Sequence, residues 1–105
     1  MAGVLAFVVY RPKSDGEAAT ADLVRAHERT LRALGFVTER PFVHGRAKDG
    51  SLIEVFEWRD SDATREAHSH PEIEELWSAM EKVCDFPGFA GLEESKAPFA
   101  NFTPW

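Results

Sequence analysis

The sequence predicts an α+β domain on a four-stranded antiparallel sheet, in the order β-α-β-β-α-β, with the second helical region broken in two. Three observations carry this reading. Val4-Leu5-Ala6-Phe7-Val8-Val9-Tyr10 is an unbroken apolar run rich in β-branched and aromatic residues, the pattern of a strand buried on both faces. Val24, His27, Leu31 and Leu34 recur at three- and four-residue steps and so share one face of a helix. Asp49-Gly50, a strong two-residue turn signal, interrupts a strand-forming stretch over residues 41–58.

The elements follow in order. After the first strand comes a polar loop, residues 11–16, containing Pro12 and Gly16. Ser14 and Glu17 have the spacing of a capping box, with Thr20 as a second N-cap option. The helix runs to Leu34, and Gly35 stands where a left-handed C-terminal cap is needed. A type I′ turn at Asp49-Gly50 pairs Lys48 with Ser51, Gly45 with Glu54, His44 with Val55 and Val43 with Phe56. The second hairpin strand then puts Leu52, Phe56 and Trp58 on one face and Ile53 and Val55 on the other. Asp60 or Ser61 caps a short helix ending near His68. Pro71 opens another, whose first turn gathers Glu72, Glu74 and Glu75 where the helix dipole favours negative charge. Its apolar stripe is Ile73, Leu76, Trp77, Met80, Val83 and Cys84, and Pro87-Gly88 ends it. Residues 89–93 read as the last strand, and residues 96–105 as an apolar tail with Phe99, Phe102 and Trp105.

This order is the split βαβ arrangement of ferredoxin-like folds, in which the first and third strands are central. Those are the two strands that are apolar on both faces. The second strand, with Pro41, Arg46 and Lys48, and the fourth, with Gly91, carry the marks of edges. Helices can cover one face of such a sheet. The other needs a cover, and a second copy of the same sheet supplies it, so a closed homodimer is expected. The tail either reaches across to the partner or seals its own subunit.

At 105 residues the chain has the length of one domain, 1–105, and a hydrophobic fraction of 44% argues against disorder. A formal charge of −6 with no basic, aromatic-interleaved stripe argues against nucleic-acid and anionic-membrane partners, and neither is expected. The single cysteine, Cys84, allows no intrachain disulfide, and it sits beside Asp85, which does not favour a reactive thiolate. The apolar start lacks a preceding charge and a small-residue cleavage site, so a cytoplasmic protein is expected. No phosphate loop and no Gly-x-Ser-x-Gly elbow is present.

The four histidines are the acid–base candidates. His44 shares a face, in the register above, with Glu57 lying diagonally across, which makes it either a carboxylate-oriented base or an edge-strand pair. His27 lies on the helix stripe, as a core histidine or a group facing a ligand. His68 and His70 form His-x-His across a helix break; no third ligand is fixed by spacing, so no metal is expected. His70 either caps the helix at Pro71 or acts as a base. Tyr10, Phe56, Trp58 and Trp77 form an aromatic core or line an apolar pocket with His27 and His68.

The stretch Glu54-Val55-Phe56-Glu57-Trp58-Arg59-Asp60, followed by Ala67-His68-Ser69-His70-Pro71 and Leu76-Trp77 and closed by Pro98-Phe99-Ala100-Asn101-Phe102, resembles the antibiotic-biosynthesis-monooxygenase family over nearly the whole chain. The resemblance implies a dimeric α/β-barrel with a pocket between sheet and helices. It also implies a monooxygenase, needing no flavin or metal cofactor, that acts on a small aromatic or quinol-like substrate. In that reading His44 and His70 are the catalytic candidates, and Tyr10, His27, Phe56, Trp58, His68 and Trp77 hold the substrate. The alternative is a non-catalytic module of the same build that binds a small apolar ligand or serves a stress response. The haem-degrading branch is disfavoured: the first strand has no asparagine, and Ala67 and Trp77 stand where that branch has tryptophan and histidine. A fold that hosts so many chemistries names no substrate by itself.

Overall fold

A computed structural model describes residues 3–105. It is an α+β structure with five antiparallel strands and three helices. Strand β1 (Val4–Pro12) leads into helix α1 (Glu17–Ala33). Then come the hairpin strands β2 (Val43–Arg46) and β3 (Leu52–Trp58), and helices α2 (Ala63–His68) and α3 (Pro71–Val83). The short strands β4 (Cys84–Asp85) and β5 (Thr103–Pro104) complete the sheet. The order across it is β4-β1-β3-β2-β5, so β1 and β3 are central, as their two-sided apolar patterns predict. Among the described residues no helix is long and apolar enough to cross a membrane.

The predicted hairpin register is off by one. Val43 pairs with Val55, His44 with Glu54, Gly45 with Ile53 and Arg46 with Leu52. The cause is the turn. Ala47 N–H donates to Ser51, leaving Lys48, Asp49 and Gly50 as a three-residue loop with Gly50 at φ +92°. A type I turn followed by a left-handed glycine is the next most common hairpin connection, and Asp-Gly serves it as well as the two-residue turn. Asp49 stabilises the longer loop by accepting from Ser51 N–H at 2.8 Å.

The last predicted strand also differs. Residues 89–93 form no strand: Phe89–Gly91 and Glu93–Lys96 are 3-10 turns, and the fourth strand is the two-residue β4, paired with Arg11 and Pro12. A left-handed Gly88 and the Pro87 before it turn the chain out of the sheet. The tail then returns along the far edge as β5.

Caps split in the same way. Ser14 does not cap α1; Gly16 occupies the N-cap without a side-chain bond, and Thr20 lies inside the helix, donating to Val83 O. Asp60 does serve α2, accepting from the backbone N–H of Asp62 and Ala63 at 3.0 Å each. Gly35 takes φ +77° after α1, as expected.

Helices α1 and α3 pack together on the inner face of the sheet. Leu31, Phe36, Phe56, Trp58, Ala67 and Ile73 form one part of that core, and Tyr10, Val24, Leu52, Met80 and Cys84 the other. On the outer face Leu92 and Phe102 close over Val9 and Ile53, and the Phe89 ring meets one edge of Phe7 at 5.2 Å. Gly45 permits the first of these contacts, since a Cβ there would stand 3.1 Å from that of Phe102. Leu5, Phe7 and Val43 stay exposed.

Candidate functional site

The site is organised around one position in the register. Glu54 lies on β3 directly between Val8 of β1 and His44 of β2, so all three side chains share the inner face. Tyr10, two residues beyond Val8, joins them, and the apolar stripe of α1 brings His27 over the same spot. Glu54 is completely buried. Its Oε1 accepts from the Tyr10 hydroxyl at 2.6 Å and from His27 Nδ1 at 2.9 Å. Its Oε2 accepts from His44 Nε2 at 2.9 Å.

A buried charge is costly unless it is paired and hydrogen-bonded. Burial, the largest single influence, pushes the Glu54 carboxyl up. Hydrogen bonds from His27 and His44, the charge of His27 and the Tyr10 hydroxyl together outweigh it and bring the carboxyl down to about 2. Glu54 is therefore a carboxylate at neutral pH. Tyr10 moves the other way: burial, then the adjacent carboxylate, hold it well above the usual phenol range, so it stays a hydroxyl.

A carboxylate only accepts, so each histidine must present an N–H to it. For neutral His27 this fixes the proton on Nδ1 and leaves Nε2 with its lone pair free. Nε2 makes no bond to protein. Among the described residues, however, no buried side-chain nitrogen or oxygen is left without a partner. Nε2 escapes that condition because His27 lines a cavity.

The cavity, about 300 Å³, lies between the sheet and the helices. Val8, Tyr10, Phe56 and Trp58 supply its sheet side, with His27 from α1, Thr64 and His68 from α2, and Trp77, Met80 and Glu81 from α3. Phe86 stands at its edge, half exposed, 5.6 Å from the Tyr10 ring. The His68 ring rests 4.6 Å from Trp77. Among the described residues no lysine or arginine lines the space.

No family model matches the chain, and no curated protein and no solved structure matches it.

Tyr10, His27, Phe56, Trp58, His68 and Trp77, the residues expected around a ligand, all line this one cavity. The two expected bases do not. His44 reaches the site only through Glu54, and its diagonal pairing with Glu57 is corrected by the register: Glu57 points to the other face and bonds Thr38 Oγ1 at 2.8 Å and Arg40 Nε at 3.1 Å. His70 is the N-cap of α3, where its Nδ1 accepts from Glu72 N–H at 3.2 Å. Glu54 itself is missing from the sequence-based candidates. The signal was available, since an acidic residue between Leu52 and Phe56 on a core-facing row must have a partner. His27, Glu54 and His44 have the composition of a two-histidine, one-carboxylate metal site. Their nitrogens oppose the carboxylate from two sides, and among the described residues no three such groups converge to hold a metal.

Chemically, the arrangement is an imidazole with one nitrogen tethered to a buried carboxylate and the other free toward an apolar, aromatic-walled space. Such a pair can take a proton from a bound molecule and stabilise the resulting imidazolium.

Proposed function

We propose that this chain is a cofactor-independent monooxygenase of the antibiotic-biosynthesis-monooxygenase type, acting on a small hydroxyaromatic substrate with His27 as general base. The observation that carries the proposal is the Glu54–His27 pair opening onto the aromatic cavity. Size supports a one- or two-ring substrate: an apolar cavity of about 150 Å³ holds benzene, and this one has about twice that room. A lining that is mostly apolar and includes the Glu81 carboxylate disfavours an anionic substrate and suits one that enters as the neutral hydroxyl form.

The chemistry then runs as follows for a naphthol. His27 Nε2 takes the hydroxyl proton, and the naphtholate has carbanion character at the carbon para to its oxygen. That carbon reduces dioxygen and forms a C–O bond, and His27 returns its proton to the peroxide. Loss of the remaining ring proton, with cleavage of the O–O bond, leaves a second carbonyl and releases water. The ring loses four electrons and dioxygen gains four, so no further reductant is needed. The protein's part is to hold the ring between Trp58 and Trp77, exclude water and move the proton.

The same proposal takes the sheet as a ferredoxin-like βαββαβ core extended by β5. Two copies would pack through the exposed apolar end of the outer face, around Leu5, Phe7 and Val43.

Oxygen uptake with 1-naphthol tests the reaction. Wild type is expected to consume one dioxygen per 1,4-naphthoquinone formed. His27→Gln, whose amide still donates to Glu54, is expected to lose about 10²–10⁴-fold, the usual contribution of a general base. Uptake unchanged in His27→Gln removes His27 from the mechanism. Binding of one- and two-ring hydroxyaromatics without any uptake would convert the reading to a ligand-binding module.

A further inference from the structure

His44 bonds the buried carboxylate of the site from a partly buried position yet does not line the cavity. It cannot touch a ligand there, so anything it does for the site passes through Glu54. The two carboxylate oxygens are served unequally. Oε1 has two donors, Tyr10 and His27, whereas Oε2 has His44 alone. On that side the tail is folded over the strand: Trp105 N–H donates to His44 O at 3.1 Å, and the Trp105 ring meets the His44 ring edge-on at 5.4 Å. Arg25 of α1 stacks on the outer face of Trp105 at 4.3 Å and closes the layer.

We propose that His44 is a positioning residue: it holds the second oxygen of Glu54, and so keeps His27 as the Nδ1–H tautomer with Nε2 directed into the cavity. As a role in catalysis this rests on the function proposed above; as a statement about the imidazole of His27 it does not. The physical reason is the cost of an orphaned carboxylate oxygen. Without His44, Oε2 is buried beside Trp105 with no donor, a state that costs more than an ordinary lost hydrogen bond. The carboxyl relieves it by binding a proton or by rotating toward the vacated space. A protonated Glu54 competes as a donor, and a rotated one abandons Nδ1. Either change frees His27 to place its proton on Nε2, where it no longer serves as the basic nitrogen.

The groups facing Glu54 are Tyr10 from β1, His27 from α1 and His44 from β2, and Arg25 reaches the cluster only across the Trp105 ring. Of the three that bond Glu54, only His44 can be exchanged without altering the cavity wall, and His44→Phe keeps a ring against Trp105.

The experiment is nitrogen-15 NMR of the histidine side chains in the full chain, recorded against pH for wild type, His44→Phe and His44→Gln. Wild type is expected to show neutral His27 in the Nδ1–H form. His44→Phe keeps the ring packing but lacks the donor, and is expected to give a mixture of tautomers and altered His27 ring-nitrogen chemical shifts. His44→Gln restores an N–H to Oε2 and is expected to return both to the wild-type pattern. In the oxygen assay, kcat is expected to fall at least tenfold in His44→Phe and to recover in His44→Gln, with KM little changed. An unaltered His27 spectrum in His44→Phe overturns the proposal, and so does a His44→Gln spectrum that copies His44→Phe. Because the spectra need no substrate, a wild type that consumes no oxygen sinks the proposed function while leaving this result readable.

Discussion

Glu54 carries a negative charge on a fully buried side chain, and three donors from three different elements are what keep it there. Its titration is therefore tied to folding. A carboxyl depressed from 4.5 to about 2 stabilises the native state by about 3 kcal/mol at neutral pH. The sign follows from the unfolded chain, whose glutamate titrates near ~4.3. The contribution is complete above that pH and disappears as the pH falls toward 2. Urea unfolding of wild type and Glu54→Gln at pH 6 and pH 2 checks this. Wild type is expected to lose about 3 kcal/mol more than the variant across the interval, and equal losses would mean that the carboxylate is not held as described. Legibility at this scale was uneven. The aromatic and histidine members of the site could be read from their types and their rows. Glu54 could not be read as a partner of His27, because nothing in a one-dimensional pattern says which helix face will lie over which strand position.

At the scale of elements, local chemistry predicted starts and stops well where one residue decides the matter. Pro71 takes the first position of α3, Asp60 serves α2 and Gly35 ends α1. His70 belongs here as well, since it caps α3 and does not line the cavity. Its place before Pro71 makes it a cap, and replacing a good N-cap residue by alanine costs about 1 kcal/mol. Thermal unfolding is expected to show that loss in His70→Ala and its recovery in His70→Ser. Oxygen uptake is expected to be the same in all three proteins, and a loss of uptake in His70→Ser would return His70 to the mechanism. The hairpin shows the opposite case. Asp49-Gly50 identifies a turn but fits two loop lengths, and the difference of one residue decides whether His44 faces Glu57 or Glu54. Residues 89–93 failed for a related reason: a short apolar stretch has no periodicity long enough to separate a strand from tight turns.

For the whole molecule, the two faces of the sheet have different fates. Helices and the cavity occupy the inner face, whereas the outer face is sealed where Leu92 and Phe102 reach it and leaves Leu5 and Val43 exposed. Phe102 packs with Val9 and Ile53 on the outer side of the sheet and Trp105 with the Tyr10 and Leu52 cluster on the inner side, and Phe99 remains almost fully exposed. Burying a side chain such as Leu5 or Val43 is worth roughly 1.5–3 kcal/mol, which is the driving force for the proposed pairing of two sheets. Sedimentation is expected to give twice the 11.8 kDa chain mass for wild type. The double variant Leu5→Lys, Val43→Lys is expected to be monomeric with an unchanged far-ultraviolet circular dichroism spectrum. A monomeric wild type, or a variant that still dimerises, would place the contact elsewhere or abolish it.

Composition and periodicity by themselves determined the α+β class, the central placement of β1 and β3, and the break between α2 and α3. Each of these depends on side-chain type recurring at a local spacing, which is present in the chain before it folds. Only the tertiary structure decided the hairpin register, the identity of the buried carboxylate and the division of labour among the histidines. Those depend on which surfaces meet at long range, where a shift of a single residue along β2 exchanges one glutamate for another.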